Sequence, residues 1–136
     1  MYTNELRIGN LINPVNYASG LHIPDTRLVL EVTEIHTFKI QTIRNGESAV
    51  STEYTEYDIT NVHPIWASEE WLLKFGFIKS NHYYESPCGV MTLQYFGTRL
   101  CLTTHQEDML SSKITFVHQL QNLYFALTQN ELKQIN

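Results

Sequence analysis

The side chains able to do chemistry in this sequence are few and far apart. Histidines stand at His22, His36, His63, His82, His105 and His118. None forms H-x-H, H-x-x-x-H or H-E-x-x-H, the spacings that aim two imidazoles at one ion. No metal or other cofactor is expected from local motifs, which leaves only ligands assembled from distant segments. His63 before Pro64 and His82 after Asn81 read as surface loop residues. Cys88 and Cys101 form neither a C-x-x-C pair nor a dense disulfide pattern, and both read as buried thiols. A thiol nucleophile would need an imidazole beside it, with His105 and His118 nearest in sequence. Cys88, in Ser86-Pro87-Cys88-Gly89, is the thiol that a turn would expose. Glu53, Glu56 and Asp58 supply carboxylates, but their alternation with Tyr54 and Tyr57 is that of a solvated strand. A Gly-rich phosphate loop, a G-x-S-x-G elbow and a Rossmann fingerprint are all missing. No residue is assigned a catalytic role, and binding is expected ahead of catalysis.

The polar residues that do share a face lie near the C-terminus. Between Phe116 and Leu127 the 3.6-residue period predicts a helix with Phe116, Val117, Leu120, Leu123, Tyr124 and Leu127 facing a core. A second stripe carries His118, Gln121, Asn122 and Phe125 at i, i+3, i+4 and i+7. No Asp, Glu, Lys or Arg occurs between Lys113 and Glu131, whereas a solvated helix face normally carries them. His118, Gln121, Asn122 and Phe125 are therefore the candidate interface or ligand-binding residues. Three covers compete for that stripe: the rest of the chain, a second subunit, or a ligand.

The elements that would position these groups predict an α+β fold. Leu6 to Ile12 reads as a strand stopped by Asn13-Pro14, followed by an irregular loop from Tyr17 to Asp25. Leu28–Thr33 and Thr37–Arg44 predict a hairpin. Asn45-Gly46 predicts a type I′ turn into a strand from Glu47 towards Ile59, wet at Tyr54, Glu56 and Asp58. These strands suggest a small antiparallel β-barrel-like lobe of SH3-like size over residues 1–66. Residues 67–136 predict a short helix, a second antiparallel sheet and the C-terminal helix, sharing one core with the first lobe. Ser68 as N-cap, Glu69 and Glu70 in the first turn, and Lys74 before Gly76 mark the short helix, with Trp71, Leu72 and Phe75 facing inward. Strands are expected over Phe77–Lys79, Tyr83–Glu85, Val90–Phe96 and Arg99–Thr103, with Gly97-Thr98 turning the last pair and a loop from His105 to Ser112.

A chain of 136 residues with 43% hydrophobic and 17% charged side chains can build its own core. The net charge of -5 and the scatter of the nine basic residues argue against general nucleic-acid binding, which needs clustered Lys and Arg. No apolar run approaches a membrane span and no leader is evident at Met1 to Glu5, so cytoplasmic residence without membrane contact is expected.

Three segments, Glu5-Leu6-Arg7-Ile8-Gly9-Asn10-Leu11-Ile12, Glu69 to Phe77 (EEWLLKFGF) and Val117 to Thr128 (VHQLQNLYFALT), carry a resemblance that spans the chain in order. They resemble a family of uncharacterised small proteins associated with phages and mobile elements of Bacteroidetes-type bacteria. Where that family carries Gly after Ala-Leu-Thr, this chain has Gln129. The resemblance implies a phage-related accessory role and brings no catalytic residues with it. The leading expectation is a non-catalytic protein-interaction module whose partner is a host or phage protein, or a second copy in a homodimer. The alternative is a small-molecule binder that sequesters a nucleotide-type signal in host defence, or an enzyme. That reading would use a cleft between the lobes lined by Arg7, Arg99, Tyr83, Tyr84 or His118.

Overall fold

The computed structural model describes residues 3–16, 23–45, 54–96, 99–103 and 114–135, which divide into two units, Met1–Ile65 and Trp66–Asn136. In the first unit a 3-10 turn at Thr3–Glu5 leads to Gly9, whose φ of 93° interrupts any extended run through Leu6 and Ile8. The first strand, β1, is consequently Leu11–Asn16. It starts later than the alternation of Leu6, Ile8 and Ile12 suggests and runs through Asn13-Pro14 instead of stopping there. Pro14 offers no N–H, yet its carbonyl still accepts from the Asp25 amide at 2.7 Å.

β2 (Ile23–Pro24) pairs with the end of β1, and β3 (Val29–Ile35) with β4 (Lys39–Asn45) makes the expected hairpin. β5 (Tyr54–Asp58) follows, and a 3-10 turn at Ile59–Asn61 returns the chain to β6 (Val62–Pro64), antiparallel to β1. Strand order is β2-β1-β3-β4-β5 with β6 on β1. Among the described residues no ladder joins β5 to β6, so the sheet is not closed into a barrel. Leu6, Ile12, Leu30, Val32, Ile40 and Val62 form the core of this unit, with Tyr57 of β5 and Ile59 of the 3-10 turn packed on it.

Ile43 lies opposite Tyr54. Burial of Ile40 and Thr42 fixes which face of β4 points inward. Gly46 and the strand start at Glu47 lie outside the described residues, as does most of the Tyr17 to Asp25 loop.

The second unit begins with α1 (Glu69–Lys74). Ser68 Oγ accepts from the Trp71 amide at 3.4 Å, and Glu69 and Glu70 occupy the positive end of the helix. Its far end closes with amides of Gly76 and Phe77 on the carbonyls of Leu73 and Leu72, both at 3.0 Å, which requires the φ of 83° at Gly76. Trp71, Leu72 and Phe75 are buried. β7 (Ile78–Ser80), β8 (Tyr83–Glu85), β9 (Thr92–Phe96) and β10 (Arg99–Thr103) form an antiparallel sheet in the order β10-β9-β8-β7. Phe96 pairs with Arg99, the register that a two-residue link demands, with Gly97 and Thr98 themselves outside the described set. So is the segment from His105 to Ser112. The last element is α2 (Val117–Thr128). None of the described helices is long and apolar enough to cross a membrane.

Candidate functional site

The entry to α2 is tied down before the helix begins. Ile114 bridges to Leu100 and Phe116 to Trp66, while Gln119 Oε1 accepts from the amides of Thr115 and Phe116 at 2.9 and 3.1 Å. Val117, Leu120 and Tyr124 then enter the core, as the apolar period requires. His118 and Gln121 are buried with them, at 1% and 2% exposure. The His118 ring stacks on Phe116 at 5.8 Å between centroids, and Phe116 in turn meets Trp66 at 5.1 Å. Gln121 Nε2 donates to the Leu132 carbonyl at 3.5 Å because the chain turns back after the helix. Gln129, at φ 60°, supplies that reversal, and Leu132 is buried beyond it. Asn122 and Phe125 are half-buried, and Leu127, assigned to the core face by its spacing, is 46% exposed. The four residues of the stripe therefore do not share one environment. The tail rotates the buried arc of α2 toward His118 and Gln121, and Leu127 is left outside it.

Tyr124 reaches a group that its position on an apolar face did not announce. Its hydroxyl donates to Cys88 Sγ at 3.3 Å, and Ser86 Oγ lies 3.7 Å from the same sulphur. Cys88 sits on a tight turn after β8, in which the Gly89 amide donates to the Ser86 carbonyl at 2.9 Å and the Met91 amide to Ser86 Oγ at 3.1 Å. The turn exposes Cys88, whereas Cys101 is buried, so only one of the two cysteines is the core thiol expected of both. The Tyr124 hydrogen bond, assisted by the Val90 amide, favours the thiolate and holds Cys88 below the ordinary thiol range. Donating a hydrogen bond to the sulphur, together with burial, pushes Tyr124 up to about 12. The neighbour of the thiol is thus a phenol that keeps its proton at neutral pH. It stabilises a thiolate but does not serve as a general base.

Apolar side chains surround this turn on the outside. Val90 is 57% exposed, Ile135 62%, and Pro87 is open to solvent. Ile135 and Pro87 both lie over Gly76, where a Cβ would come within 3.2 Å of Ile135 Cδ1 and 3.4 Å of Pro87 Cγ.

The remaining candidates are built into the scaffold. Tyr84 is buried, and Glu69 accepts from both Lys79 Nζ, at 3.1 Å, and the Tyr84 hydroxyl, which holds the Glu69 carboxyl low. Tyr95 packs edge-on against Tyr84 at 5.7 Å, donates to the Ala67 carbonyl and is pushed up to about 12 by burial. This network fastens α1 to its sheet. Tyr83 is half-buried in β8, Arg7 half-buried in the first unit, and the Arg99 side chain lies outside the described set. His82 is exposed beside Asn81 at φ 56°, but His63 is half-buried in β6 rather than in a loop, because β6 pairs it with Asn13. His36 faces Glu34 at 3.3 Å in solvent. Glu56 pairs with Lys39 at 3.4 Å, and Glu56 and Asp58 lie on the wet side of β5. His22, Glu53 and His105 lie outside the described residues. Among the described residues no three His, Cys, Asp or Glu side chains gather as a metal site.

No protein-family model, no curated protein and no solved structure matches this chain.

Proposed function

We propose that the protein is a non-catalytic interaction module, an accessory protein of a phage or mobile element. It docks a host or phage protein, or a second copy of itself, through the surface around Cys88. The observation that carries this reading is the set of exposed apolar side chains at this turn: Val90 and Pro87 on it, and Ile135 lying with Pro87 over Gly76. Contiguous apolar surface left in water marks contact sites more often than it occurs by accident. The half-buried Asn122 and Phe125 belong to α2 and would border the docked partner, while His118 and Gln121 hold the helix in place from within.

The test is a Val90→Asp/Ile135→Asp double variant, compared with the parent by size-exclusion chromatography with light scattering and by capture from host lysate. Circular dichroism checks the fold. Loss of the dimer or of the captured protein, with an unchanged spectrum, supports the reading. Undiminished association refutes it. The sequestration alternative is separated by thermal shift with nucleotides: a ligand at 100 times its Kd stabilises the fold by about 2.7 kcal/mol, and a clear shift would replace the docking reading.

A further inference from the structure

We draw no further inference here: the strongest candidate, the exposed Cys88 thiol between Ser86 and Tyr124 on the turn after β8, belongs to the surface already described and is a single cysteine with nothing beside it that points to a ligand.

Discussion

Tyr124 shows how a polar tip can be hidden in an apolar pattern. Its ring satisfies the core while its hydroxyl finds a soft acceptor, Cys88 Sγ. Alkylation by iodoacetamide should therefore begin at a lower pH than for an ordinary thiol, about 8.5, and select Cys88 over the buried Cys101. Tyr124→Phe should move the inflection of the rate–pH profile upward; an unmoved inflection would show that the phenol does not tune the thiol. The sign for stability follows from the same contact. The folded pKa of Cys88 is lowered, so its contribution is complete above the unfolded thiol's pKa and is lost as pH falls through the folded value. Chemical denaturation should thus find Tyr124→Phe more costly in alkali than in mild acid. At Gln129 the left-handed backbone burdens a residue with a Cβ. Gln129→Gly is expected to stabilise the fold by about 0.5–1 kcal/mol, net of the added freedom of the unfolded chain, raising Tm by about 2 °C. Both thiols were expected to be buried, and Ser86-Pro87-Cys88-Gly89 marked only a turn that could expose Cys88. The identity of its hydrogen-bond donor was not legible, because periodicity sorts residues by bulk hydrophobicity and ignores a single hydroxyl.

Elements were readable where their determinants are local. For α1 the cap, the first-turn acids and the terminating glycine all fall within a few residues, and each does what its type predicts. Ser68→Ala should cost about 1 kcal/mol. Gly76→Ala should cost about 1–2 kcal/mol from the positive φ alone, and more because its methyl meets Ile135 and Pro87. Adding Ile135→Ala should recover the steric part and leave the conformational part, a difference that a double-mutant cycle in urea resolves. β1 and β5 were less legible for the opposite reason. Pro14 is accommodated by a partner strand near residue 62, and β5 takes its register from a strand many residues earlier, with Ile43 opposite Tyr54. α2 was legible in extent but not in orientation about its axis, since the returning tail covers an arc that sequence spacing treats as outward.

At the scale of the whole chain, composition and element order suffice for the α+β class and for two antiparallel sheets, each with its own set of buried residues. Ile40→Ala in one unit and Leu93→Ala in the other remove fully buried side chains, and each should cost about 2–5 kcal/mol by denaturant titration. The net charge of -5 predicts no retention on immobilised DNA at moderate salt, and retention would reveal a basic surface that only folding assembles. The tail that shields Gln121 has one more effect. The Ile135 amide donates to the Lys74 carbonyl at 2.7 Å, so residue 135 is stitched to α1, far upstream in sequence. Amides in exposed segments ordinarily exchange their hydrogens with solvent fastest. The Ile135 amide should exchange slowly instead, making it a spectroscopic sentinel for the integrity of α1.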